Sequence, residues 1–257
     1  MDNAVLEVEG LTKVFARKGQ ADVVAVDDVS FCVAPGECVG LVGGSGSGKS
    51  TIARMITGLV EPTKGKVLLS GHPIGEMRGA CKKELVTRAQ MVFQNPTSSF
   101  DPRRTLGQGA AEALRNLGIS KGEANDRIRS LFELCGLEPN IADRYPREVS
   151  GGQCQRVAIA RALAPEPPLI VLDEATSALD TTVQAQVVDL LASIAAQRGV
   201  AYLFICHDIA LVQQFCDRVM VMHKGRVVEE GPTLRVIASP TDPYTKELVN
   251  QAASFCP

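Results

Sequence analysis

Three short stretches of this chain carry residue types that handle phosphate. GGSGSGKS (Gly43 to Ser50) fits the spacing G-x-x-x-x-G-K-[ST] and directly follows the apolar run CVGLV. Gly43, Gly44, Gly46 and Gly48, with Ser45 and Ser47 between them, let consecutive backbone N–H groups wrap phosphate oxygens. A helix opening at Thr51 (TIARMITGL) adds its N-terminal dipole. Lys49 is then placed to reach β- and γ-phosphates, and Ser50 to ligate Mg²⁺. A loose glycine-rich turn is the plain alternative, but this motif follows a strand and opens a helix, the context that phosphate binding needs. The second stretch, LIVLDE (Leu169 to Glu174), is an apolar run ending in two acids. At the carboxyl edge of a sheet, Asp173 would hold Mg²⁺ and Glu174 would act as general base on the attacking water. An acidic cap for the next helix remains the other reading. The third, VSGGQ, offers Ser150, Gly151, Gly152 and Gln153 at a helix start, an anion site with a hydroxyl donor. Alone it is a weak signal, because many ordinary helices begin this way.

The elements that must position these residues are legible as patterns. Val29, Phe31 and Val33 alternate with polar or small neighbours as a half-buried strand does, and Ala34 to Glu37 makes a turn into CVGLV. A second early β-unit runs over Lys66 to Gly71 after a turn at Pro62 to Gly65. From about Lys82 to Pro165 the pattern becomes helical; in Gly122 to Leu137, Ile128, Leu131, Phe132 and Cys135 share one face. LIVLDE reads as a buried strand. After Asp180, a helix places Val183, Val187, Leu190, Leu191 and Ile194 on one side and ends at Gly199, and VAYLFIC (Val200 to Cys206) is the next strand. Strands alternating with helices predict a mostly parallel sheet. A hairpin turning at Lys224-Gly225 precedes a short helical tail.

Composition removes several classes. The chain has 257 residues, 45% hydrophobic and 22% charged, which suits a globular core. The net charge of −2 argues against a general nucleic-acid binder. No stretch approaches the roughly 20 apolar residues of a membrane span. The start, MDNAVLEVEG, lacks a basic-then-apolar signal, so a cytoplasmic protein is expected. Eight cysteines (Cys32, Cys38, Cys81, Cys135, Cys154, Cys206, Cys216 and Cys256) include no C-x-x-C pair and read as small buried hydrophobes.

The order of these motifs resembles the nucleotide-binding subunit of ABC transporters over nearly the whole length. Gly43 to Ser50 matches the P-loop, Gln94 the Q-loop glutamine, Val149 to Gln153 the signature, and Leu169 to Glu174 the Walker B strand. SALD (Ser177 to Asp180) matches the D-loop, and His207 the switch histidine. Val149 departs from the usual leucine, apolar for apolar. The resemblance implies an α/β fold: a P-loop NTPase core with an N-terminal antiparallel β-subdomain and an inserted helical subdomain. The expected layout is one ABC ATPase domain, with 1–90 and 166–257 as core and about 91–165 as the helical part.

ATP and Mg²⁺ are the implied ligands. Phe15 stands where the family places an adenine-stacking ring, usually tyrosine; an ordinary core aromatic is the alternative. Gly43 to Thr51 cradle the phosphates. Gln94 contacts Mg²⁺ or the attacking water, alongside Ser50 and Asp173 as metal residues. Glu174, His207, Gln94 and Lys49 form the implied catalytic set, with His207 reaching the γ-phosphate and Asp180 counted among the binding residues. His72 and His223 are assigned nothing. The family further implies a head-to-tail dimer, homo- or heteromeric, in which Ser150, Gly151, Gly152 and Gln153 of one subunit close over ATP held by the other. Transmembrane permease subunits and an extracytoplasmic solute-binding protein are the other implied partners, with this subunit at the cytoplasmic face of a bacterial-type membrane.

QNPTSSFDPR (Gln94 to Arg103) and SPTDPYTKEL (Ser239 to Leu248) are similar to the peptide/nickel importer branch. That implies cargo among peptides, nickel or metal chelates, and a surface at 94–103, Phe100 and Arg103 included, that receives the permease; a plain loop is the alternative. The tail carries only Cys256, so an iron–sulfur extension is not expected. Cys154, just after the signature, is either a reactive thiolate at a helix N-terminus or a small buried side chain. The rival reading is a soluble, non-transport ABC-type ATPase, which would carry a long coiled-coil or zinc-bearing insert.

Overall fold

The computed structural model of the chain describes residues 4–16, 19, 21–76 and 82–253. Two sheets organise it. Strands β1 (Leu6–Phe15) and β2 (Val23–Val33) pair antiparallel, and with β4 (Lys64–Leu69) and β5 (His72–Pro73) they make a four-stranded sheet in the order β2-β1-β4-β5. The second sheet has six strands in the order β10-β9-β3-β8-β7-β6: β3 is Cys38–Val42, β6 Ala89–Val92, β7 Leu169–Asp173, β8 Ala201–Ile205, β9 Arg218–His223 and β10 Arg226–Pro232. All neighbours in it run parallel except β10, which returns antiparallel to β9.

The unbroken apolar runs of β3, β7 and β8 follow from this arrangement, because a parallel sheet covered on both faces must be apolar on both. Every residue of these three strands is buried. Side chains alternate between two cores. Val39, Leu41, Val171 and Leu203 face the core shared with the antiparallel sheet and with α1 (Lys49–Ile56). Cys38, Val42, Leu172 and Phe204 face the other core, which continues without a break into the helices between residues 106 and 163.

Those helices are α3 (Leu106–Ala110), α4 (Glu112–Asn116), α5 (Lys121–Leu134) and α6 (Gly151–Leu163), and they follow α2 (Lys82–Arg88). Ile128, Leu131, Phe132 and Cys135 are buried together, as their spacing predicts. Helix α7 (Thr181–Arg198) starts at Asp180, whose carboxylate accepts the Val183 N–H at 3.0 Å, and stops at Gly199 in the left-handed conformation, φ 64°. Its core face is Val187, Val188, Leu191 and Ile194, with Val183 and Leu190 half-buried beside it. The β9–β10 turn is Lys224-Gly225 with φ of 47° and 87°, the primed geometry that two-residue hairpins favour.

One expectation needs correction, and one pair of alternatives resolves. Phe100 does not belong to a surface patch: its ring is 6% exposed, with the Arg161 guanidinium 4.3 Å from the centroid. Arg161 of α6 also donates to the Ser99 carbonyl at 2.9 Å and hydroxyl at 3.0 Å, so this turn is anchored to the helix that follows the signature. Arg103 remains on the surface, its side chain 88% exposed and paired to Asp101. Cys154 is fully buried, and burial pushes its thiol up, against smaller downward pulls from Thr97 and Arg161. The reactive reading of Cys154 therefore fails, since the thiol is shut away from solvent and burial disfavours its thiolate. Cys32 is exposed, unlike the other described cysteines. Cys81 and Cys256 lie outside the described residues.

The chain then runs through α8 (Ile209–Phe215), β9, β10 and α9 (Thr233–Ala238) into α10 (Pro243–Ala253). Glu229 on β10 holds the approach to α10: its carboxylate accepts from the Thr241 N–H at 2.9 and 3.1 Å, the Thr241 hydroxyl at 2.9 Å and the Asp242 N–H at 3.0 Å. Burial raises the Glu229 carboxyl, but the Thr241 and Asp242 donors prevail and bring it down to about 2.

Phe100→Ala should cost about 3 kcal/mol or more, read as a lowered urea midpoint, because it empties a filled site under Arg161. Arg103→Ala should leave that midpoint where it is. A depressed carboxylate contributes stability that is fully present above its ordinary pKa, 4.5, and is lost as pH falls toward about 2. Thermal melts should therefore fall through that window in the parent chain. Glu229→Gln should melt lower at neutral pH and show a shallower fall; identical profiles would refute the clamp.

Candidate active site

The four loops that leave the carboxyl ends of β3, β6, β7 and β8 all emerge on one edge of the six-stranded sheet, because these strands are parallel. Leu41 is level with Ile205, and Ile205 is level with Asp173. The glycine-rich loop after β3, the acid pair at the end of β7, Gln94 after β6 and His207 after β8 are thereby gathered by the ladder.

The loop after β3 turns tightly into α1. Gly43 and Gly48 adopt φ of 149° and 109°; a Cβ there would lie 2.1 Å from the Met222 carbonyl oxygen and 2.3 Å from that of Ala25. Only glycine lets β9 and β2 close on the loop from two sides. The hairpin tip adds to this hold: the Gly225 N–H donates to the Ser47 carbonyl at 3.0 Å, and the Asp27 N–H to the Gly225 carbonyl at 2.8 Å. No side chain caps the start of α1, which leaves its first N–H groups to a ligand. Lys49 is 6% exposed and folds across the loop, donating to the carbonyls of Gly43 at 2.8 Å and Gly44 at 3.0 Å. Burial lowers its ammonium pKa, while Glu174 and Asp173 pull the other way. Ser45 and Gly46 are exposed on the same loop.

Opposite stands the acid pair. The Ser50 hydroxyl donates to Asp173 Oδ1 at 2.9 Å. Burial pushes the Asp173 carboxyl up; the Ser50 bond opposes the rise and the Glu174 charge adds to it. A hydroxyl and a half-desolvated carboxylate, both hard oxygen donors, are the chemistry a small divalent cation selects. Glu174 sits in the left-handed region at φ 49°, its N–H donating to the Ile205 carbonyl at 3.0 Å. That backbone costs about 1–3 kcal/mol for a residue with a side chain. It also turns the chain sharply away from the sheet directly after Asp173. Gln94 crosses from β6: its Nε2 donates to Glu174 Oε2 at 2.7 Å and to Ser177 Oγ at 3.4 Å. His207 is exposed immediately after β8, and Asp208 caps α8 by accepting the Ala210 and Leu211 N–H groups.

Other expected residues stand apart. Ser150 and Gln153 spend their side chains on each other's backbone N–H groups, a capping box that opens α6. Gly151 and Gly152 face Leu179 and Val183; a Cβ at Gly152 would lie 2.8 Å from Val183 Cγ1. Among the described residues, no hydrogen bond joins 150–153 to the glycine-rich loop. Phe15 is 41% exposed, so it is not a core aromatic, and Lys13 Nζ lies 5.0 Å from its ring centroid. It pairs with Val23, two residues from the Ala25 that abuts Gly48. Two residues escaped the sequence reading of this site: Ser177, singled out only as part of the SALD match, and Tyr244, whose hydroxyl accepts the Gly44 N–H at 2.7 Å. Tyr244 was marked only as part of SPTDPYTKEL, and nothing local tied it to a loop 200 residues away.

Known proteins resemble this chain in sequence and in fold. The ABC transporter family model matches residues 26–177. The chain is 45% identical to y4tS, an ABC transporter ATP-binding protein of Sinorhizobium fredii, across 98% of this chain and 73% of that protein. It is 46% identical to the oligopeptide transport ATP-binding protein OppF of Salmonella typhimurium, across 88% of this chain and 68% of that one. With the glutathione import ATP-binding protein GsiA of Salmonella paratyphi A, identity is 44% across 95% of this chain but only 40% of the relative. Among solved structures, a dimeric post-hydrolysis state of the ATP-binding cassette MJ0796 with ADP and Pi superposes at a TM-score of 0.81, 30% identical, covering 89% of this chain and 98% of that one. The cbiO1 subunit of Clostridium perfringens superposes at 0.81, 27% identical, covering 99% and 96%. Matched through the stretch that builds both the glycine-rich loop and the acidic strand end, this chain belongs to the ABC transporter family.

Proposed function

We propose that this chain binds ATP with Mg²⁺ at the described sheet edge and hydrolyses it to drive import of peptide-type solutes through separate permease subunits. The observation that carries this reading is the Gln94–Glu174 hydrogen bond beside the Ser50–Asp173 pair, with Lys49 held across the loop. Lys49 and the N–H groups of the loop beyond Gly44 take the phosphates. Ser50 and Asp173, with Gln94, are the residues to hold Mg²⁺, which when bound neutralises phosphate charge. Glu174 accepts the proton of the attacking water, with Gln94 orienting it and His207 at the γ-phosphate. Phe15 offers an exposed ring for adenine.

One ATPase unit with a helical part over about 91–165 accounts for the two-sheet core and the helices packed on it. Ser150 to Gln153 are not needed by their own chain's loop. A head-to-tail dimer in which they and Asp180 complete the partner's nucleotide site gives them a role, and the dimeric cassette structures support it. Among the described residues no helix is long and apolar enough to cross a membrane, so this reading assigns the translocation path to the permease. It works at the cytoplasmic face, with a solute-binding protein on the other side. The oligopeptide and glutathione relatives favour peptidic cargo over nickel or chelates, and favour transport over a soluble non-transport ATPase.

Glu174→Gln should keep ATP binding and stop turnover, trapping a closed dimer whose doubled mass in light scattering depends on ATP. Hydrolysis at the parent rate would sink the general-base role. Lys49→Ala should lose several kcal/mol of ATP affinity by calorimetry, since each charged hydrogen bond contributes roughly 1.5–3 kcal/mol. Unchanged affinity would contradict the phosphate assignment.

A further inference from the structure

The first turn of α10 reaches back to the glycine-rich loop. The Tyr244 hydroxyl accepts the Gly44 N–H at 2.7 Å, and a Cβ on Gly44 would come to 3.0 Å from that oxygen. The Tyr244 ring lies 3.9 Å from the His223 ring, inclined at 32°. His223 ends β9, next to the Met222 carbonyl that abuts Gly43. The ring is thus seated on the strand that already confines the loop.

Tyr244 is itself held from below. The Asp242 carboxylate accepts the N–H groups of Tyr244 at 2.8 Å and Thr245 at 3.4 Å, and Glu229 grips the N–H groups of Thr241 and Asp242. Hydrogen bonds at both ends of a short covalent stretch, Glu229 to the 241–242 backbone and the Tyr244 hydroxyl to Gly44, therefore connect β10 to the second residue of the loop.

A glycine-rich loop has a large conformational entropy to lose when it closes on phosphate. Holding it in the bound form beforehand removes part of that cost from the binding step. We propose that Tyr244 is a positioning residue for nucleotide binding: its hydroxyl pins Gly44 and keeps the following N–H groups aimed at the phosphates. The proposal rests on the nucleotide reading of the site above. The same contact makes residue 44 a place where a side chain would push the hydroxyl away.

Tyr244→Phe keeps the ring and its stack on His223 and removes only the acceptor. In the full chain with MgATP, KM should rise about three- to ten-fold, the size of one neutral hydrogen bond, with kcat within two-fold and the thermal midpoint unchanged. A merely structural role would lower the midpoint and kcat together and leave KM alone, and that outcome would overturn the proposal. Gly44→Ala should raise KM in the parent background and add little in Tyr244→Phe; additive effects would also overturn it. Lys49→Ala run in parallel separates the two readings. If it loses ATP affinity while Tyr244→Phe behaves as the parent, only the positioning role falls. If Lys49→Ala keeps its affinity, the nucleotide reading falls and takes this one with it.

Discussion

Leu41, Asp173 and Ile205 lie level across three parallel strands, and the rest of the site depends on that registration. A shift of one residue in β7 would carry Asp173 to the opposite face and separate it from Ser50, because side chains alternate with period two. The register is enforced by burial on both faces: Leu169 and Val171 serve one core, Ile170 and Leu172 the other. Neither set can be exchanged without loss on both sides. The chemistry is thus held in place by the most apolar part of the chain.

Around that edge, charge and backbone are kept in tension. Lys49 is buried, which weakens its ammonium, yet it is retained by carbonyls of its own loop and by the nearby acids. Asp173 is buried, which raises its carboxyl, yet the Ser50 hydroxyl offsets part of the rise. Glu174 carries left-handed backbone without being glycine. Each of these costs stability locally, and each is tolerated because the sheet beneath is fully packed. Triphosphate and a cation would relieve the first two, since opposite charge arriving in a desolvated site restores the charged forms.

The helices between 106 and 163 link this edge to the opposite core. Arg161 ties α6 to the turn at Ser99 and Phe100, in the same helix that the signature opens at Ser150. The Arg161 guanidinium is largely buried and its hydrogen-bond partners are on the turn, so turn and helix are bonded directly to one another. The buried Phe100 ring gives the turn a rigid underside, while Asp101 and Arg103 face outward.

Much of this was legible in the residues alone. The glycine-rich loop, the acid pair, the helix starts at VSGGQ and after Asp180, the stop at Gly199 and the turn at Lys224-Gly225 are local: their geometry is set within a few residues by backbone sterics and hydrogen bonding. The apolar face of α5 and the two-sided apolar strands follow from periodicity. What tertiary structure decided is everything between distant residues. Gln94 meets Glu174 across 80 positions, Ser50 meets Asp173 across 123, and Gly44 meets Tyr244 across 200. Phe100 and Cys154 were misjudged or left open for the same reason. A turn-rich stretch says where the chain bends, and a helix start says which way its dipole points. Whether a side chain there meets water or Arg161 and Thr97 is settled only when the elements pack, because burial is a property of the assembled layers and not of the segment.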